Sequence, residues 1–226
     1  MSAGDLTPAP AAARPASTRR PLRRRIALRF AALMRWLHIY LSMFGLAIVL
    51  FFSVTGITLN HPDWFFAGAE TTSTAEGTLD SKWLGPSRGE TEGDDGVAKL
   101  EVVEHLRRSH GISGALSEFR IDPGECTVSF KGPGYAADAF IDRGTGKYSL
   151  NQTYHGFVAV INDLHKGRDT GPVWSAVIDL SAILMTIISL TGLVLLFYLK
   201  LRRVPGVVVG VLGTVVVALI VWLFVP

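Results

Sequence analysis

An apolar segment occupies residues 36–60 and reads "WLHIYLSMFGLAIVLFFSVTGITLN". A helix that crosses a bilayer needs about 20 predominantly apolar residues, and this segment meets that requirement. Residues 173–199 and 206–225 meet it too. The chain has 226 residues, of which 49% are hydrophobic, and its mean hydropathy is positive. Too little chain remains to bury three such segments in a soluble core. The sequence therefore predicts transmembrane helices at 31–60, 173–199 and 205–226.

Arginines mark one end of the first apolar segment. Residues 1–35 carry eight arginines against one acid, Asp5, and the turn "KLRRVP" between the second and third segments is also basic. Basic residues stay on the cytoplasmic side of a membrane. Residues 1–30 are predicted to be a disordered basic cytoplasmic tail, with residues 61–172 on the opposite side. Those outer residues carry 17 acids and 11 bases, so the basic pI near 9.2 indicates topology and lipid contact, and nucleic acid is not an expected partner.

The outer segment has the length of one small domain. Residues 67–95 are polar and Gly-rich, which predicts a mobile connection. After this connection, apolar residues recur at helical spacing, at Val97, Leu100, Val103 and Leu106. Three stretches bounded by turn residues come next, at 115–122, 126–132 and 137–150. One helix followed by three or four antiparallel strands is expected over about 96–150. The lone Cys126 excludes an intrachain disulfide and is predicted to be a strand residue.

Several strings in the chain resemble a known family. The helix, the strand pair and "FIDRGTGKYSL" are similar to the small PepSY module. The strings "TGITLNH" and "NDLHKGRDTGPVW", with the apolar segments around them, resemble the PepSY-associated transmembrane-helix family over about residues 31–200. The resemblance implies a membrane α-helical protein of the bacterial inner membrane with an extracytoplasmic α+β PepSY-like domain in the periplasm. It also implies relatives that carry haem and transfer electrons to ferric chelates or flavin partners.

Histidines lie near the ends of the apolar segments. The 23 residues from His38 to His61 span about 34 Å as a helix, so these two rings lie at opposite faces of the membrane. His61 and His165 are expected on the same outer side, where neutral imidazoles can supply both axial ligands of haem b. Lys166 or Arg168 would then pair with a propionate. Equally, each histidine can be an interfacial residue, and "LHKGR" can be a corner that binds lipid headgroups.

An inner haem at His38 has no second histidine ligand in the later segments. It would need a homodimer, a partner subunit or a five-coordinate iron.

Asp179 lies inside the second segment, where an ionisable side chain costs free energy unless it is paired. It is expected to orient a ligand histidine, or to pair with Lys166 or Arg168, or to bond Ser53 or Thr55. The strings "SVTGI" and "SLTGL" suggest a weak internal repeat in which two helices use the same small-residue contact.

The remaining motifs reduce the number of functions that the sequence allows. "GISGALS" at 111–117 resembles a flavin-attachment site, but Leu116 stands where a hydroxyl would be needed. The chain contains no P-loop, no dinucleotide fingerprint and no His-Glu-x-x-His. His105 and His110 are expected to be exposed, so the soluble domain is not expected to hold a cofactor. Two hypotheses remain: a haem b electron-transfer protein with a flavin-bearing or other periplasmic redox partner, or a membrane-tethered PepSY module that holds or restrains a periplasmic protein or peptidase.

Overall fold

A computed structural model describes residues 22–61, 64, 69–85 and 96–226. Its regular elements, in chain order, are α1 Leu22–Asn60, β1 Glu70–Thr78, α2 Lys99–His110, β2 Ala115–Ile121, β3 Glu125–Gly132, β4 Tyr135–Asp142, β5 Lys147–His155, α3 Phe157–Lys166, α4 Gly171–Tyr198 and α5 Arg203–Phe224. They form two units, one with residues 22–41 and 188–226 and one with residues 42–187.

Three helices are long and apolar enough to cross a membrane, namely α1, α4 and α5, with 39, 28 and 22 residues. The predicted membrane α-helical class with three spans is confirmed. One difference concerns the N-terminal side, because α1 already begins at Leu22, within the tail that the sequence predicted to be disordered. Residues 22–35 are mostly Leu, Ala and Arg, which are strong helix formers, so the membrane helix extends into them. Residues 1–21 lie outside the described part of the chain.

The unit with residues 42–187 contains a five-stranded antiparallel sheet in the order β1-β5-β4-β3-β2. The strand β1 was not predicted, because residues 70–78 fall in the expected mobile connection. This strand pairs with β5 from Glu70 opposite His155 to Thr78 opposite Lys147. Its sequence, "ETTSTAEGT", has no apolar alternation, so only the pairing with a distant strand reveals it. Of the rest of that connection, residues 67–68 and 86–95 are not described.

One face of the sheet packs against α2 and forms the core of the α+β domain. Alternate residues of β3, β4 and β5 are fully buried there, and Cys126 is among them, as predicted. The predicted apolar stripe is confirmed at three of its four positions, since Val97 and Leu106 are buried in the core and Val103 packs against it. Leu100 is instead 67% exposed, and Val102 is buried, because it lies one turn before Leu106 on the side that meets the sheet.

The helix α3 was not predicted from the sequence either. This helix follows β5 directly and ends at Gly167, which adopts the left-handed conformation (φ 70°) that glycine tolerates at a helix end. The β3–β4 turn packs onto it, since the backbone N–H of Gly134 donates to Asp163 Oδ2 over 2.9 Å. Through this contact the sheet holds α3 in place.

Gly134 permits the close approach of the turn to α3. Its φ is +63°, and an added Cβ would overlap Val160 Cγ2. We expect Gly134→Ala to lower the free energy of unfolding by about 1–3 kcal/mol, because backbone strain and the overlap add together. Thermal unfolding of the full chain in detergent measures this. Gly124→Ala is the matched control, since its Cβ would meet nothing within 4 Å. Equal midpoints for the two variants would contradict the expectation.

Candidate functional site

His165 lies near the C-terminal end of α3 and bonds to α1. Its Nδ1 is 2.5 Å from Thr55 Oγ1. The Thr55 hydroxyl donates its single hydrogen to Phe51 O over 2.6 Å. Its oxygen therefore accepts from His165, which assigns the imidazole proton to Nδ1. Nε2 of this ring then carries a lone pair, the state that a metal requires.

A second contact fixes α3 against α1 beside this bond. Thr58 Oγ1 lies 2.6 Å from Asn162 Oδ1 and 2.9 Å from Thr55 O. Asn162 precedes His165 by three residues, so both side chains lie on the same face of α3. Two polar contacts thus hold this face against the C-terminal part of α1. The orientation of the imidazole follows from the packing of both helices.

The surroundings of His165 favour its neutral form. Burial and, to a smaller extent, the charge of Lys166 lower the pKa of His165 below its ordinary value of 6.5. The ring of Phe52 packs edge-on against the imidazole, with 4.9 Å between centroids. A neutral imidazole at pH 7 is the form that ligates a metal.

His38 has an equivalent arrangement in the other unit. Its Nδ1 lies 3.1 Å from both Ile188 O and Thr191 Oγ1 on α4. A carbonyl oxygen only accepts, and the Thr191 hydroxyl gives its hydrogen to Ile188 O over 2.8 Å. The proton is therefore assigned to Nδ1 of His38 as well. Nε2 again carries the lone pair.

A Thr-Gly pair receives each histidine, and we call the two places the Thr55 notch (Thr55 and Gly56) and the Thr191 notch (Thr191 and Gly192). A Cβ on Gly56 would lie 3.9 Å from His165 Cε1, and one on Gly192 would lie 3.0 Å from His38 Cε1. The threonine accepts a hydrogen bond in both places; an added Cβ would be too close to the ring at Gly192, whereas at Gly56 it would make an ordinary van der Waals contact. These pairs are the centres of the repeated strings "SVTGI" and "SLTGL". The predicted small-residue contact is therefore a contact with a histidine in both places.

An apolar groove of about 210 Å³ lies near the Thr55 notch. Phe52, which contacts His165, lines it together with Phe51, Trp174 and five other residues, Ala47, Ile48, Val177, Ile178 and Ser181. Imidazole Nε2 atoms and an apolar wall are the donor set and the surroundings that haem takes in proteins. Ligand pockets usually enclose about 300–1,000 Å³. The groove is smaller than that, and His165 contacts Phe52 of its wall but is not itself among the residues that line it.

The other predicted ligand on the outer side, His61, lies elsewhere in the same unit. Its ring stacks on Trp64 with 3.8 Å between centroids, and its Nε2 is 3.5 Å from Asn60 Nδ2. No contact joins His61 to His165 among the described residues. The pairing of these two histidines around one iron stays a prediction.

The charged residues singled out in the sequence are exposed. Lys166 and Arg168 form no ion pair within the described ranges. Asp179 is exposed on α4, and none of its predicted contacts is present in the part of the chain that the structure describes. Thr55, one of its predicted partners, bonds His165 instead. The proposed orienting role of Asp179 is therefore wrong for this arrangement, and the threonine hydroxyl takes that role.

The histidines of the α+β domain form no cluster with a metal site, because the described residues contain no group of three or more His, Cys, Asp or Glu placed to hold a metal ion. The expectation that His105 and His110 are exposed is wrong. Both are half-buried, and His110 Nε2 lies 2.8 Å from the hydroxyl of Tyr148. Burial, with a smaller effect of His105, lowers the pKa of His110. His155 is on β5, with Nδ1 3.9 Å from Glu70 Oε2.

The fold is that of a membrane protein with three helices long enough to span the bilayer and a PepSY-like α+β domain. The sequence profile of the PepSY_TM-like family matches residues 32–226, and the chain belongs to that family. The resemblance seen in the sequence is confirmed. Comparison with curated proteins and with solved structures gave no significant match.

Proposed function

We propose that the chain is an electron-transfer protein of the bacterial inner membrane that binds b-type haem through His165 and His38. The observation that supports this most directly is the shared chemistry of the two notches. In each, a threonine or carbonyl oxygen accepts from Nδ1 of the histidine, which leaves the Nε2 lone pair for iron. An interfacial histidine needs no such fixed tautomer. Haem, when bound, supplies reversible one-electron chemistry.

The protein's own residues would hold and orient the group. The Thr55 and Thr191 notches orient each imidazole, and the apolar residues around the groove beside Phe52 would exclude water from a group bound there. Lys166 and Arg168 are exposed and follow His165 within three residues of the chain, and their positive charges would pair with propionates. His61 is a candidate second ligand on the outer side. For His38, α4 and α5 contain no further histidine, so a second copy of the chain or another subunit would complete the coordination.

The proposed direction of electron flow is outward, to a periplasmic acceptor such as a ferric chelate or a flavin-bearing protein. This part rests on the family resemblance. It requires residues 61–172 to be periplasmic and the N-terminus to be cytoplasmic, which the arginine distribution supports.

Visible spectroscopy of the chain purified from haem-replete cells tests the proposal. We expect a Soret band that shifts on reduction with dithionite, with haem present in at least stoichiometric amount. A protein without such a band, although folded and monodisperse, contradicts the proposal. The second candidate, a tethered PepSY module, would then apply. It is favoured by the second face of the sheet, which is polar and on which Phe140 is 42% exposed.

The topology gives a separate prediction. Reporter fusions after Gly89, which lies outside the described residues, and after Arg203 should report opposite sides of the membrane, with Gly89 periplasmic. The reason is the excess of arginine before α1 and in the turn before α5. Alkaline phosphatase should be active only at the first position and green fluorescent protein only at the second. The same side for both fusions would contradict the orientation.

A further inference from the structure

Asp179 places an ionisable group within an apolar membrane helix. It follows the start of α4 at Gly171 by eight residues, which is about 12 Å along the axis. The whole helix is about 42 Å long, whereas the hydrocarbon layer is about 30 Å thick, so a centred α4 extends about 6 Å beyond each edge. The Asp179 carboxyl group is then attached about 6 Å inside the hydrocarbon.

The side chain of Asp179 has no polar contact partner among the described residues. It is exposed, and it forms no hydrogen bond or ion pair within the described ranges. Ionisable groups at such depth normally pair with another group or face a polar interior. In the described part of the chain, the helix face that carries Asp179 provides neither. A basic side chain of another protein would stabilise the charge.

Small residues flank Asp179 on the same face of α4. Ser175, Ala176 and Ala182 occupy three of the four positions one turn away, with Thr186 a further turn on, and all four are exposed; the remaining position one turn away is Ile183, also exposed. The Thr186 hydroxyl donates to Ala182 O over 2.9 Å, so it stays within its own helix. Small side chains let the backbones of two membrane helices approach closely. The carboxylate is thus set beside a track on which a second helix can lie.

From this charge and this track we infer that the Asp179 face of α4 binds a transmembrane helix of another protein, one that carries a lysine or arginine at the depth of Asp179. Opposite charge is the complement that a carboxylate in hydrocarbon requires. A second copy of this chain is less suitable, because symmetrical contact would place two Asp179 carboxylates opposite each other, and like charges disfavour ionisation of both. The inference does not depend on haem binding.

Model peptides test the inference on the full chain. The fluorescently labelled protein is reconstituted in phosphatidylcholine vesicles with labelled Leu/Ala transmembrane peptides, and binding is measured by energy transfer. One peptide has a lysine about 6 Å inside one hydrocarbon edge, a second has leucine there, and a third has the lysine at mid-membrane. We expect the first to bind at least tenfold more tightly than the other two.

Substitutions assign the effect to the carboxylate. Asp179→Leu should remove the difference between the peptides, whereas Thr214→Leu, an exposed polar position on α5, should preserve it. Equal binding of all peptides to the unaltered protein would overturn the inference, as would a difference that survives in Asp179→Leu. Energy transfer between copies of the chain that disappears in Asp179→Leu would identify a second copy as the occupant and would also overturn it.

Discussion

Replacing His165 by alanine is expected to remove the haem held at the Thr55 notch, seen as a loss of Soret absorbance per mole of protein. The imidazole is the group at this notch whose Nε2 is left free to ligate, because Thr55 occupies Nδ1. The matched control is His155→Ala. That histidine lies on β5 beside Glu70 and should be replaceable without change in the spectrum. Retained haem in His165→Ala with loss in His155→Ala would show that the ligand was assigned wrongly.

A milder variant separates ligation from orientation at the same notch. Thr55→Val keeps His165 but removes the oxygen that accepts from Nδ1, and loss of such a supporting hydrogen bond lowers affinity by about 10–100-fold. We expect weaker haem retention on dilution and a shifted reduction potential. Thr214→Val is the control, since that hydroxyl bonds only Gly210 O of its own helix. Identical potentials in the two variants would mean that the Thr55 hydroxyl does not support a ligand.

Gly192→Val is expected to remove haem bound at His38 in the Thr191 notch, while haem bound at His165 in the Thr55 notch is retained. Even a Cβ at Gly192 would lie 3.0 Å from His38 Cε1, and the two methyl groups of valine need more space than that. The ring must move, which breaks its hydrogen bonds to Ile188 and Thr191. We expect haem bound at His38 to be lost.

The control for this substitution is Gly210→Val in α5, where an added Cβ would meet nothing within 4 Å. Haem content of the two purified variants, with size-exclusion profiles to confirm folding, measures the effect. If Gly192→Val and His165→Ala act on separate haems, the double variant should lose both. An unchanged haem content in Gly192→Val would exclude His38 as a ligand.

Local sequence patterns predicted much of this fold. The helix α2 and the strands β2 to β5 followed from spacing and turn residues, and "RGTG" correctly marked the β4–β5 turn. The strand β1 could not be predicted, since its residues are polar and its partner β5 lies about 75 residues away. The helix α3 was missed because it is short and follows β5 with only Gly156 between them.

The candidate site was predicted in part. His38, His61 and His165 were recognised as residues that can ligate, and the repeated Thr-Gly strings were noted as a contact of small residues. The use of those strings by histidines could not be foreseen. A threonine in an apolar helix most often bonds back to its own helix, as Thr214 does, and Thr55 likewise donates to Phe51 O of α1. The second bond of Thr55 is to His165, 110 residues further along the chain, and no local pattern shows it.

By itself the sequence determined that this chain has three helices able to cross a membrane and a PepSY-like domain between the first two. Span length and apolar content are properties of contiguous residues, so they can be recognised without knowledge of the tertiary structure. The tertiary structure alone decided which hydroxyl meets which imidazole. Thr55 and His165 are 110 residues apart, and His38 and Thr191 are 153 apart. Such contacts arise only when packed helices bring distant positions together, and they fix the tautomer on which any ligand chemistry here depends.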